Sequence, residues 1–262
     1  MRGGDRYGRS STGKVVGPAD YLRAGLRSFQ TRVARALTLI ENAAEHGKIG
    51  VCFSGGKDST VLLDLVRRVF PDTLAAFLDS GCELRQTMDI VREYGVDVFP
   101  ATPSLIEMCE YGGYWGAPGI DPNATFDFGK ILIEDPSRRF VDYYGLSILA
   151  LGLRGEESRG RWMNARIKGT LYYAEYDHLY HLCPLQNWKT DDIWAYIADR
   201  DLPYNRAYDI MNEIGIPRER QRISTVLGSS VAQFGRYTYL KQIDLELYNR
   251  LADKFPKIRI YT

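Results

Sequence analysis

Val51-Cys52-Phe53-Ser54-Gly55-Gly56-Lys57-Asp58-Ser59-Thr60 is the stretch from which the fold can be read. An apolar run over 49–53 meets two glycines, and a helical pattern follows from about Asp58 to Arg68. Strand, glycine turn and helix in that order leave unpaired N–H groups at the helix start pointing into the turn. Glycines let the backbone come close to an anion. Ser54 and Ser59 add hydroxyl donors, Lys57 adds positive charge, and Asp58 could cap the helix or help hold Mg²⁺. The expectation is an anion site built from Phe53, Ser54, Gly55, Gly56, Lys57, Asp58, Ser59 and Thr60.

This is not the loop of mononucleotide kinases and switch GTPases. That pattern needs a glycine five residues before the Gly of Gly-Lys and a Ser or Thr after it. Here Val51 and Asp58 hold those places. Gly8 to Lys14 matches the first part of that pattern, but Val15 follows and no apolar strand precedes it, so it reads as tail.

Outward from the loop, apolar residues recur at helical spacing from Tyr21 to about Glu45 (Leu22, Leu26, Phe29, Val33, Leu37, Ile40), with Gly47 as the stop. Thr73–Asp79 reads as a second strand, Leu84–Tyr94 as a helix closed by Gly95, and Val96–Ala101 as a third strand. Residues 111–125, rich in Gly, Pro and aromatics, predict a long irregular loop. Asp135-Pro136 reads as an N-cap followed by proline at the first helical position. Leu146–Leu151 is a fourth buried strand, and two strand-like runs, Leu171–Tyr176 and Leu179–Leu182, flank a turn at Asp177-His178. Helices are expected near Thr190–Asp199 and Thr238–Lys254. This alternation predicts an α/β fold, a parallel twisted sheet with helices on both faces. The expected organisation is a flexible basic arm over 1–19, a nucleotide-binding domain over 20–210 and a helical extension over 211–262.

Composition sets bounds on function. Lys plus Arg number 34 against 33 for Asp plus Glu, so net charge gives no reason to expect indiscriminate binding to nucleic acid or acidic membranes. The four cysteines, Cys52, Cys82, Cys109 and Cys183, form no C-x-x-C pair, which argues against a zinc ribbon or a cysteine-rich iron–sulfur loop. His178, His181 and Cys183 make a loose group without a fourth ligand. No apolar run approaches the roughly 18 residues of a membrane span and no signal-peptide pattern opens the chain, so the expected location is cytoplasmic.

Four segments in consistent order then make the chain resemble the adenine-nucleotide pyrophosphatases with an S-G-G-x-D-S loop, and more narrowly their phosphoadenosine-phosphosulfate reductase branch. After the loop come Leu78-Asp79-Ser80-Gly81, similar to that branch's Asp-Thr-Gly, and Gly152 to Arg161, similar to its Gly-x-Arg-x-x-Glu-Ser-x-x-Arg segment. Pro184-Leu185-Gln186-Asn187-Trp188, followed by Pro203-Tyr204-Asn205, is similar to its Pro-Leu-x-x-Trp and Leu-Pro-x-Asn region. The resemblance runs from about 48 to 210 and implies an adenine nucleotide alpha-hydrolase-like, Rossmann-type fold. It implies a nucleotide site that adds Asp79, Ser80, Gly81, Gly152, Arg154 and Glu157 to the loop. Lys57, Asp58, Arg154 and Arg161 would act on the phosphates, with ATP and Mg²⁺ as cofactors and Asp58 as a candidate Mg²⁺ ligand.

The chain departs from the reductases in one respect that matters chemically. Those enzymes carry a cysteine near the chain end, and their cluster-bearing forms carry cysteine pairs. Here the last residues are Lys257 to Thr262, and both Phe126–Lys130 and Arg218–Arg222 lack cysteine. No iron–sulfur cluster is therefore expected. The resemblance implies instead an ATP pyrophosphatase that adenylylates an acceptor, a DNA phosphate oxygen in phosphorothioate modification. Its partners would be a cysteine desulfurase or other persulfide donor and DNA or DNA-processing proteins, with a homodimer also open. The other readings are a surviving sulfonucleotide reductase, a tRNA-thiolating enzyme and a non-catalytic ATP-binding subunit. Cys82 and Cys109 are candidates for a sulfur relay, and the aromatics of 111–115 with Arg-rich 216–222 are candidates for a nucleic-acid contact.

Overall fold

The computed structural model describes residues 13–223 and 236–261. Its centre is one six-stranded sheet in the order β3-β2-β1-β4-β6-β5. The strands are β1 (Ile49–Cys52), β2 (Leu74–Asp79), β3 (Asp97–Pro100), β4 (Ile148–Ala150), β5 (Leu171–Ala174) and β6 (Leu179–Leu182). β3, β2, β1, β4 and β6 run parallel, with Val51 opposite Ala75 on one side and Ala150 on the other. β5 pairs antiparallel with β6 at the edge, so the expected parallel sheet carries one reversed strand. The reason is the short turn at Asp177-His178: a tight connection can only return the chain antiparallel, whereas a parallel partner needs a crossover of a dozen residues or more.

Helices cover both faces. On one side α2 (Arg27–Ala43), α3 (Lys57–Val69) and α8 (Thr190–Asp199) bury Phe29, Ile40, Val61, Leu62, Ile193 and Trp194 against Val51 and Phe53. On the other, α6 (Asp135–Tyr144) sets Phe140 and Val141 against Ala76, Leu149 and Leu179. The remaining described helices are α1 (Pro18–Ala24), α4 (Arg85–Tyr94), α5 (Leu105–Tyr111), α7 (Arg159–Lys168), α9 (Ala207–Glu213), α10 (Arg236–Ile243) and α11 (Leu245–Lys254). From β1 the chain moves outward through β2 to β3, then returns to place β4 on β1's other side. The strand order therefore reverses between β1 and β4, and in an open α/β sheet the cleft beyond the strand ends at such a point is where ligands sit.

Three helix boundaries differ from the sequence reading. The single helix expected from Tyr21 to Glu45 is two, α1 and α2, because Leu26 is extended (φ −73°, ψ 133°) and both it and Leu22 face solvent. Asp135 is not an N-cap. The helix enters it through a π-helical turn over Lys130–Glu134, and the cap lies upstream, where Asp127 Oδ1 accepts the Lys130 N–H at 3.0 Å. Pro136 lacks an N–H and its ring crowds the carbonyl four residues back, a conflict the wider turn relieves. The helix expected over Thr238–Lys254 breaks at Asp244 into α10 and α11.

Of the arm expected over 1–19, residues 1–12 lie outside the described residues, as does most of the Gly8–Lys14 stretch. Val15 is buried and donates its N–H to Asp209 Oδ1 at 2.8 Å, while Arg218 reaches both the buried Asp20 and the Val15 carbonyl. α9 runs across the boundary expected at 210–211. Among the described residues, no helix is long and apolar enough to cross a membrane.

Candidate active site

The chain leaves β1 at Cys52 and turns through Phe53–Gly56 into α3, which starts at Lys57. Gly55 has φ +69°, and a Cβ there would meet the Thr87 and Ile90 methyls of α4 at 3.0 and 3.2 Å. Glycine is required at that position on both counts. Ser59 Oγ closes the turn by donating to the Gly56 carbonyl at 3.0 Å and accepting the Ser54 N–H at 3.1 Å. Its proton being so placed, the Ser54 hydroxyl is the donor in their 3.1 Å contact. Phe53, Gly55, Gly56, Ser59 and Thr60 are buried, and Ser54 is exposed at the tip. The result is a rigid turn whose glycine N–H groups sit at a helix N-terminus, an arrangement suited to phosphate.

Two charged residues follow, and both are tied into the interior. Lys57 is 1% exposed; its ammonium lies 2.9 Å from Asp58 Oδ2 and 5.6 Å from the Tyr208 ring, and its N–H donates to the Tyr208 hydroxyl at 3.2 Å. Asp58 Oδ1 accepts Arg154 Nε at 2.5 Å. Arg154, also 1% exposed, continues to Glu156 at 2.7 Å, the Trp188 carbonyl at 3.4 Å and the Thr190 hydroxyl at 3.3 Å. Glu156 in turn accepts the Thr190 N–H and hydroxyl at the start of α8. This buried chain of charges joins the first turn of α3, the exit of β4 and the N-terminus of α8. Gly152 permits the approach, since a Cβ there would sit 3.2 Å from the Asp58 carbonyl carbon and the Ser59 nitrogen.

Burial pushes the Lys57 ammonium below its ordinary value against the opposing pull of Asp58, and Arg154 and Arg222 push in the same direction as burial. Burial also works against ionisation of Asp58, but Lys57 and Arg154 outweigh it and hold that carboxyl below the usual range. Arg161 is lowered by burial and by Arg222.

The expected site residues are therefore brought together unequally. The loop, Gly152, Arg154 and Glu157 converge. Arg154 does not present its guanidinium to an open cleft, because Asp58, Glu156, Trp188 and Thr190 take it; it positions the loop rather than reaching phosphate. Arg161 is half-exposed and pairs with Glu157, so of the two arginines it is the one with a face toward solvent. Asp79 Oδ1 accepts the Gly81 N–H at 2.7 Å and Ser80 donates to Glu83 at 2.6 Å, making the end of β2 a self-closed turn.

Magnesium does not fit Asp58 as it stands, because each of its oxygens already carries an ion pair, and no group of three His, Cys, Asp or Glu among the described residues could hold a metal ion. His181 Nε2 donates to the Asp177 carboxylate at 2.7 Å and lies buried, while His178 is exposed, so the loose histidine–cysteine group makes no metal site among the described residues. The four thiols are poor nucleophiles where they stand. Burial pushes Cys52 up to about 12 and Cys109 and Cys183 up to about 11, and Cys82 is 1% exposed with its thiol pushed up further, so neither relay candidate, Cys82 or Cys109, is a ready thiolate. The aromatics of the 111–128 segment pack on one another, Tyr111 with Phe126 and Tyr114 with Phe128, and Arg218 is engaged by Asp20.

Sequence reasoning missed Tyr208, and it named Arg222 only within the 216–222 nucleic-acid candidate, not as part of the phosphate site. Tyr208 is fully inside, its ring edge-on to Trp194 and its oxygen 3.4 Å from where a Gly56 Cβ would be. Arg222 lies close enough to Lys57 and Arg161 to depress both. Neither carries a local motif; only the folding of α9 and the segment after it onto the loop reveals them.

The sequence profile of the phosphoadenosine phosphosulfate reductase domain matches residues 48–215, more than half of the chain, and takes in the loop, Gly152–Arg161 and Tyr208 but not Arg222. The chain belongs to this family. Among its relatives, adenosine 5'-phosphosulfate reductase 2 of Bacillus subtilis is 28% identical over 217 residues, covering 78% of this chain and 79% of that protein. An uncharacterized protein of Methanocaldococcus jannaschii is 24% identical over 241 residues, 89% of this chain, and the chain spans 55% of that protein's length. The crystal structure of phosphoadenylyl-sulfate reductase from Candida auris in a phosphate complex shares the fold, with a TM-score of 0.52 at 17% identity over 69% of this chain and 89% of that one. The family member described here thus has the mostly parallel, nucleotide-binding architecture of this reductase-like group, whose named members are enzymes.

Proposed function

We propose that this family member is an ATP pyrophosphatase that activates an acceptor by adenylylation for sulfur incorporation, with a DNA phosphate oxygen in phosphorothioate modification as the acceptor. The observation that carries the reading is the coexistence of a cation-rich phosphate turn with four cysteines whose thiols are all raised by burial. In this reaction the acceptor oxygen attacks the α-phosphorus of ATP, the α–β bridge breaks and pyrophosphate leaves. A persulfide carried by a cysteine desulfurase then attacks the acceptor phosphorus and displaces AMP, and a second thiol reduces the remaining S–S bond. The chain's own part is to hold the polyphosphate on the Gly55 and Gly56 N–H groups and to offset the charge of the departing pyrophosphate with Arg161 and Arg222, and with Lys57 from beneath the turn. It needs no thiolate of its own.

The alternative, sulfonucleotide reduction, is favoured by the names of the relatives, among them adenosine 5'-phosphosulfate reductases 27–30% identical to this chain. The two are separated by product. Pyrophosphate and AMP formed from ATP when DNA, cysteine and a desulfurase are present support adenylylation. Sulfite formed from adenosine phosphosulfate and a thiol, with ATP left intact, overturns it. Lys57→Ala should lower either turnover by about 100-fold or more, as loss of one charge-stabilising donor does. Turnover unchanged in that variant would remove the loop from the mechanism.

A further inference from the structure

α7 lies beside the site and, among its described side chains, gives it only Arg161. It is a ten-residue helix, Arg159–Lys168, begun by Ser158, whose hydroxyl accepts the Arg161 N–H at 3.1 Å. It packs on the short Gly155–Glu157 turn next to the site, and almost all of its described side chains face solvent. Trp162 is 50% exposed, Met163 48% and Ile167 78%. Arg159, Arg161, Arg166 and Lys168 supply four positive charges, and the helix contains no acidic residue.

The cations and aromatics are interleaved. The Arg166 guanidinium lies 4.8 Å from the centre of the Trp162 ring, and the Lys168 ammonium 5.0 Å from that of Tyr172. The first turn is tied to the phosphate site through the Arg161–Glu157 pair, and Arg161 feels the charges of Asp58, Arg154 and Arg222.

We propose that α7 is a docking surface for a single DNA strand, which it delivers to the nucleotide site; the proposal rests on the adenylylation reading and names where its acceptor binds. Charge complementarity decides the occupant. An apolar protein partner laid on this face would strand Arg159, Arg166 and Lys168 away from water without counter-charge, since only Arg161 has a carboxylate partner, Glu157. A polyanion supplies a phosphate for each cation, and a base can stack on the exposed face of Trp162. A helix of this length spans about 15 Å, room for two or three successive phosphates. Binding there would bring one of those phosphates to Arg161 and so to the edge of the phosphate turn.

The test uses the full chain and fluorescence anisotropy with labelled single-stranded DNA of about 16 nucleotides, RNA of the same sequence and the DNA duplex. Wild type should bind the DNA strand more tightly than the RNA or the duplex, and a preference for either of those overturns the proposal. The double variant R166E/K168E should weaken binding by about tenfold or more and reduce the salt slope by roughly 1.4, at about 0.7 per lost phosphate contact. Trp162→Ala should weaken it by roughly tenfold, as loss of one stacking platform does. ATP binding is measured in parallel and should stay as in wild type, which excludes misfolding. Affinity unchanged in R166E/K168E overturns the proposal. So does a Trp162→Ala chain that turns from dimer to monomer in light scattering while its oligonucleotide affinity holds, since that marks α7 as a contact between copies. Pyrophosphate release is read separately in the same samples. Strand binding through α7 without any release of pyrophosphate overturns the adenylylation reading and leaves the surface standing.

Discussion

At the scale of single residues, the site is organised by charges that are buried and paired rather than aimed outward. Asp58 is the pivot, with Lys57 on one oxygen and Arg154 on the other. Removing one partner of such a cluster leaves the others uncompensated in a poorly hydrated place, so Asp58→Asn should cost about 3–5 kcal/mol at neutral pH. Its pH dependence follows from the direction of the shift. The folded protein holds this carboxyl below its ordinary range, burial being outweighed by Lys57 and Arg154. Its stabilising contribution is therefore complete above the unfolded value and is lost as pH falls through the lower folded value. Urea unfolding at stepped acidic pH should show the gap between wild type and Asp58→Asn narrowing toward low pH. Two parallel curves would mean that Asp58 is not the titrating group.

Elements are held in place by a few side chains that serve two helices at once. Asp244 breaks the last helical stretch because its carboxylate has two duties: Oδ1 accepts the Leu247 N–H at the start of α11 at 3.0 Å, and Oδ2 accepts the Arg85 N–H at the start of α4 at 2.8 Å. One residue thus caps two helix N-termini far apart in sequence. A single lost cap costs typically about 1 kcal/mol and up to about 2. Asp244→Ala, losing both, should destabilise by roughly 2–4 kcal/mol on that basis, read as a shift of the denaturation midpoint with an unchanged slope. A loss under about 0.5 kcal/mol, the size of an ordinary surface change, would show that water replaces both bonds. The helix macrodipoles point the same way, each favouring an anion at its start.

For the whole molecule, the N-terminal end of the described chain is tied to the segment that backs the phosphate turn. Val15 and Asp20 from before α2 are latched to Asp209 and Arg218, and the segment they hold carries Tyr208 and Arg222 onto the loop. Arg218→Ala leaves Asp20 buried without its cation, which should cost about 3–5 kcal/mol. It should also raise the nucleotide KM, because Tyr208 and Arg222 lose their backing, while kcat at saturation changes less. A variant that is destabilised with KM unmoved would separate the latch from the site.

What the sequence determined by itself follows from local chemistry. The strand–glycine–helix signature at 51–60, the alternation of apolar runs and the Gly152–Arg161 segment are each set by neighbours along the chain, and each sits where it was expected, in a mostly parallel sheet with helices on both faces. Helix ends were less legible. Asp135, Leu26 and Asp244 depend on what packs against them: a π turn, a solvent-facing pair of leucines and the start of a distant helix. The tertiary structure alone decided which charges are available to a ligand. Arg154 and Arg161 look alike in the motif, yet one is locked inside by Asp58 and Glu156 and the other stays half in water. The places of Tyr208 and Arg222 at the phosphate turn are silent in the sequence for the same physical reason: ionic and hydrogen-bond partners are chosen by proximity in space, and no spacing along the chain encodes it.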